Sequence, residues 1–372
     1  MTVLSTFAKI GLGLGLSFVA YKTYRGLTMT EEEKKREANK NYWLDRVHPE
    51  LLNPVVRYQP DLNFNTERKV RFFNFLMGIK GPPTKGVKAE DVPGIGVWFS
   101  PKEEEGDTKR DPKVAVLYLH GGGRIMGLYS SGLQAIFCSR LVKHLNLPVF
   151  SAKYRTALID DPFPAALNDA VDAYKYLVDS IKKQDPTATN DNIKIALCGE
   201  SAGGGLAAEM SQRLLDEYNS NNTKQESSYP LPVAQLLINP MLDDRTSVEP
   251  KEEYPANHLI WNHHSNIYAW STYLGPNHKP GQDKLPKYAA ASRRENFKGL
   301  PPAWITAGSL DLMCPEAADY AKRLKEAGVP TEYLEIKGAY HGFVTICEGD
   351  EPPTIPLWKS FREFARKYLL DE

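Results

Sequence analysis

The stretch IKIALCGESAGGGLAAEMSQRLLDEY, residues 193–218, decides the fold. Its opening IKIALCG is dominated by Ile, Ala and Leu, the pattern of a strand buried on both faces. From Ala202 onward the apolar residues recur at helical spacing. Between the two, Gly199-Glu200-Ser201-Ala202-Gly203 reads G-x-S-x-G across a strand–turn–helix junction. So tight a turn needs small residues two places before and two places after the serine. The hydroxyl then stands clear of the sheet at a helix N-terminus.

Outward from this junction, short apolar strands alternate with helices from about residue 90. Candidate strands are residues 94–100, 113–120, 147–154, 193–199, 233–239, 302–308 and 331–336. Helical patterns cover 165–183, 202–218 and 315–328, the last opening on Pro315 and ending on Gly328. Alternation on this scale predicts an α/β fold with a mostly parallel sheet and helices on both faces. Residues 30–90, broken by Pro54, Pro60, Pro82 and Pro83, and the aromatic-rich residues 240–300 do not follow it. Both read as a mainly helical cap added to the core. The polar stretch 219–230 reads as a surface loop, with a glycosylation triplet at Asn221-Asn222-Thr223.

A serine hydroxyl is a weak nucleophile and needs a base and an orienting acid. In this architecture the partners follow the serine at later strand ends, acid before histidine. ITAGSLDLM (305–313) puts Asp311 just past a strand, and IKGAYHGF (336–343) puts His341 in the loop after the last one. His48, His144, His258, His263, His264 and His278 lack a strand-end context. Upstream, YLHGGGRIMG (118–127) places Gly121, Gly122 and Gly123 where a strand ends. Bare backbone there lets N–H groups approach the oxygen on which charge builds when an acyl carbonyl is attacked. The N–H of Ala202 joins them from the serine turn. The spacing of a phosphate-binding glycine loop is absent.

The bulk numbers exclude other classes. The 372 residues carry 46 Lys+Arg and 46 Asp+Glu, so no basic surplus points to nucleic acid. The mixed cluster EEEKKRE (31–37) reads as a solvated helix face. Cys138, Cys198, Cys314 and Cys347 form no CxxC pair and no metal-ligand cluster, which fits a reducing compartment. Residues 1–29 form a separate N-terminal segment with no acid, and Ile10 to Tyr21 is continuously apolar or small. Residues 3–21 approach a membrane-spanning length if Lys9 snorkels. An uncleaved membrane anchor is the expectation, ahead of a cleaved signal peptide or a matrix-targeting segment, with the endoplasmic reticulum as first choice of membrane and the mitochondrial outer membrane as second. The domain after it is expected to span 30–372.

HGGG at 120–123, GESAGG at 199–204 and AYHGF at 339–343 resemble the hormone-sensitive-lipase-like branch of the α/β-hydrolases. That branch includes arylacetamide deacetylase and many microbial esterases. YRTALIDDPFPAALNDA (154–170), INPMLD (238–243) and residues 301–333 follow its pattern too, so the likeness covers roughly 90–345. Glu200 stands where the family commonly has Asp, and the segment around Asp160 is one residue longer. The resemblance implies a serine carboxylic-ester hydrolase, without metal or cofactor, acting on short-acyl or lipophilic esters. Ser201, Asp311 and His341 would be its triad, and the glycines after His120 with Ala202 its oxyanion donors. The alternatives are acyl transfer from the same acyl-enzyme, and non-catalytic binding of a small molecule.

Overall fold

The computed structural model describes residues 42–52, 56, 64–77, 79–102, 110–158, 161–220, 229–247, 258–347 and 354–372. The expected anchor over 3–21, the charged cluster 31–37 and the triplet 221–223 lie outside them. No described helix is long and apolar enough to cross a membrane. The chain divides after Arg46 into two compact units, and the sheet belongs to the second, Val47–Glu372.

Eight strands build one sheet: β1 (Val87–Val92), β2 (Gly96–Pro101), β3 (Val114–Leu119), β4 (Val149–Ala152), β5 (Lys194–Glu200), β6 (Ala234–Ile238), β7 (Ala303–Gly308) and β8 (Thr331–Ile336). Their order is β1-β2-β4-β3-β5-β6-β7-β8. Only β2 runs against its neighbours; β4, β3 and β5 to β8 pair in parallel. The expected parallel sheet is therefore present. Its first strand corrects the sequence reading, which gives residues up to about 90 to the cap. Lys88, Glu90 and Asp91 are exposed there, because β1 is an edge strand and carries the charges of one.

The helices are α1 (Glu67–Met77), α2 (Gly132–Leu145), α3 (Ala165–Gln184), α4 (Ala202–Ser220), α5 (His263–Leu274), α6 (Cys314–Glu326), the single turn α7 (Phe343–Ile346) and α8 (Ile355–Leu369). Every residue of β3, β6 and β7 is buried, and alternate side chains serve opposite faces. On one face Leu117, Leu197, Leu237 and Ile305 join the core formed with α3, α4 and α6. On the other, Tyr118 meets Phe137 of α2 and Trp304 meets Phe361 of α8. The sheet is thus covered on both sides, as its apolar strands require. All four cysteines are buried, and none is joined to another in a disulfide.

Local signals set the helix ends. The Ser131 hydroxyl caps α2 by accepting the Gln134 N–H, and Asn146 closes it in the left-handed region. The Asn262 side chain caps α5 in the same way through the Ser265 N–H. The two stretches read as cap meet each other: the Phe64 N–H donates to Ser265 Oγ at 2.8 Å, and its ring stacks with Trp261.

Candidate active site

The loops that follow β3, β5, β6, β7 and β8 converge on Ser201. At the end of β5, Ser201 sits at φ 55°, a left-handed conformation costing a non-glycine residue about 1–3 kcal/mol. The surroundings hold it there: its N–H donates to Ile238 O at 2.8 Å, and its carbonyl accepts the Gly205 and Met241 N–H groups. The elbow also needs Gly203. A Cβ at that position would lie 2.0 Å from Leu119 O and 2.4 Å from His120 O, so bare backbone lets α4 close on the end of β3.

The three residues expected to act together are brought together. His341 Nε2 is 2.9 Å from Ser201 Oγ, and His341 Nδ1 is 2.8 Å from Asp311 Oδ2. All three side chains are buried. Burial alone would raise the Asp311 carboxyl. His341, the Met313 N–H and the Asn239 amide outweigh it and hold Asp311 below the usual carboxylate range. Burial likewise disfavours a charged His341, but Asp311 and then Glu200 pull its pKa above the ordinary 6.5.

The glycine loop lies against the serine turn, with the Cβ position of Gly121 only 3.4 Å from Ser201 Cβ. Gly122 and Gly123 turn the chain at φ 109° and 61°. His120 is fully buried, its pKa pushed down to about 4 by desolvation, so it is neutral at pH 7. It stacks on Tyr154, whose hydroxyl donates to His120 O at 2.6 Å and fixes the start of the loop. Ala202 is the first residue of α4, so its N–H has no carbonyl partner within the helix.

The sequence does not give the partners of several residues around the site. The Asn239 amide donates to Asp311 Oδ2 at 2.6 Å; its place just past β6, within the INPMLD segment, does not by itself give its partner. Glu200 accepts a bifurcated bond from the Thr345 hydroxyl on α7, 2.7 Å from each oxygen, and burial raises its pKa. Of the aromatic residues read as cap, Trp261 reaches the site. It lies 6.2 Å from the His341 ring, and its edge would meet a Cβ on Gly123 at 2.5 Å. Trp270 and Tyr273 pack instead over Arg124. Among the described residues no cluster of His, Cys, Asp and Glu is arranged to hold a metal ion.

A mostly parallel sheet that carries a hydrogen-bonded serine, histidine and aspartate at its strand ends defines an α/β-hydrolase. A family model described as alpha/beta hydrolase fold matches residues 116–345, and the chain belongs to that family, in its hormone-sensitive-lipase-like branch. The acetyl-hydrolase of Streptomyces hygroscopicus is 28% identical over 79% of this chain and 88% of its own. Lipase 2 of Moraxella sp. (strain TA144) is 26% identical over 67% of this chain, which spans only 58% of that lipase. Among solved structures, a bacterial heroin esterase superposes with a TM-score of 0.70 at 26% identity, covering 88% of this chain and 99% of the esterase.

Proposed function

We propose that the protein is a serine carboxylic-ester hydrolase acting on acetyl and other short-acyl esters. The observation that carries this reading is the continuous relay from Asp311 through His341 to Ser201 Oγ, with spacings of 2.8 and 2.9 Å. His341 Nε2 takes the proton from Ser201 Oγ as the oxygen attacks the ester carbonyl. Asp311 holds the ring by its Nδ1–H and stabilises the imidazolium. The carbonyl oxygen takes up negative charge against the amides of Gly121, Gly122, Gly123 and Ala202. His341 returns the proton to the departing alcohol, leaving an acyl group on Ser201. Water, losing a proton to His341, then releases the acid and restores the serine. The names of the relatives, an acetyl-hydrolase and an ethyl acetate hydrolase among them, support a short acyl group.

Attachment to a membrane through residues 3–21 is part of the proposal and rests on the sequence alone. A bilayer would supply lipophilic esters. Full-length protein is expected to float with phosphatidylcholine vesicles and protein lacking residues 1–29 to stay behind; equal flotation removes the anchor.

Hydrolysis of nitrophenyl esters from acetate to palmitate tests the activity, with Ser201→Ala beside the wild type. We expect a maximum at acetate or butyrate and a loss on the order of 10⁶-fold in the variant, the scale of a lost triad nucleophile. Equal rates in the two proteins would overturn the reading, and a palmitate maximum would overturn the short-acyl part of it.

A further inference from the structure

The residue after the glycine loop is an arginine buried without solvent contact. Arg124 follows Gly123 at φ 60°, where most side chains are disfavoured. Its guanidinium reaches Glu209 on α4, Nη2 to Oε1 at 2.6 Å, and both side chains are fully buried. The same guanidinium lies over the rings of Tyr273 and Trp270 on α5, 4.2 and 4.7 Å from their centroids. The Tyr273 hydroxyl donates to the other Glu209 oxygen at 3.2 Å. Space is reserved for this arrangement: a Cβ on Gly205 would fall 2.6 Å from Arg124 Nη2 and 1.9 Å from Met241 O. The Nε and Nη1 groups of Arg124 have no hydrogen-bond acceptor among the described residues.

Taking two charges fully out of water is expensive, and apolar side chains of similar volume often stabilise a core as well or better. Stability is therefore a poor account of the pair. Its connections give a better one. Arg124 ends the glycine loop, Glu209 belongs to the helix that begins beside Ser201, and Tyr273 and Trp270 belong to the helix just past Trp261. One side chain thereby ties together the loop, the nucleophile's helix and the cap.

We propose that Arg124, clamped by Glu209, Tyr273 and Trp270, is a positioning residue that sets the amides of Gly121–Gly123 relative to Ser201. The inference rests on the ester-hydrolase reading for the meaning of those amides. The clamp itself is open to a separate measurement.

The test uses the full chain and three variants: Glu209→Gln, Arg124→Met, and the double replacement Arg124→Met with Glu209→Leu. The double variant leaves no unpaired buried charge, so it is expected to fold even if a single change does not. Two readouts are taken: kcat and KM for nitrophenyl acetate per active site titrated with a fluorophosphonate, and amide hydrogen exchange along the chain. Expected in the double variant is a fall in kcat of about 10- to 100-fold with KM within about twofold, the scale of a misplaced oxyanion donor. Exchange should accelerate at residues 121–126 and stay unchanged in α3. A purely structural role would lower the number of titrated sites without changing kcat per site. A folded double variant with wild-type kcat per site, or with unaltered exchange at 121–126, overturns the proposal. If the wild type cleaves no ester, the hydrolase reading falls and the exchange at 121–126 alone decides the clamp.

Discussion

Asn239 Nδ2 lies 2.6 Å from Asp311 Oδ2, the same oxygen that stands 2.8 Å from His341 Nδ1. The Asn239 amide therefore holds the carboxylate to which the histidine is hydrogen-bonded. A hydrogen bond to a charged group contributes about 1.5–3 kcal/mol, so Asn239→Ala should lower kcat by about tenfold or more. Substrate is not touched, so KM should stay close to the wild-type value. Steady-state kinetics on nitrophenyl acetate decide it, and an unchanged kcat would show that Asp311 is aligned without Asn239.

The pH profile should report His341. A general base works as neutral imidazole, so kcat/KM should climb with pH through a pKa above 6.5, since Asp311 and Glu200 outweigh the effect of burial. Asp311→Asn removes the larger of those pulls. Its acidic limb should move to lower pH while the rate falls on the order of 10⁴-fold, as in other serine triads. The sign for stability is opposite. A raised folded-state pKa favours the native state below 6.5, and that contribution fades as pH rises through the raised value. Thermal denaturation of wild type and variant across the pH range should therefore show the wild-type advantage from this histidine shrinking on the alkaline side.

Gly203→Ala should be among the most damaging single-methyl additions to the core. Its Cβ would stand 2.0 Å from Leu119 O, and a backbone carbonyl at the end of a central strand has nowhere to move. We expect a loss of about 3 kcal/mol or more, at the upper end of overpacking costs, read as a lowered Tm or as insoluble protein. Gly127→Ala is the control. Nothing lies within 4 Å of its Cβ position, and its Tm should match the wild type.

Much of the fold and the site is legible in the sequence because the informative residues are neighbours along the chain. The G-x-S-x-G turn, the glycines at 121–123 and the strand-end positions of Asp311 and His341 each announce themselves locally. The central strands do too, since burial on both faces leaves continuous apolar runs. β1 is hidden because an edge strand carries charge, and Lys88, Glu90 and Asp91 look like any exposed segment. Asn239 and the Arg124–Glu209 pair are hidden for another reason. Asn239 lies 72 residues from Asp311, and Arg124 lies 85 from Glu209; no periodicity links such partners. Their meaning exists only once β3, β5, β6 and β7 are laid side by side.

The four buried thiols have a practical corollary. Desolvation raises the pKa of Cys138, Cys198 and Cys314, which keeps them as unreactive thiols near neutral pH. The described fold is not cross-linked, so reducing agents have no bridge to break within it. Thiol-blocking and serine-phosphonylating reagents can then be applied to one preparation as orthogonal probes, and inactivation by the second alone points to oxygen, not sulfur, as the attacking atom.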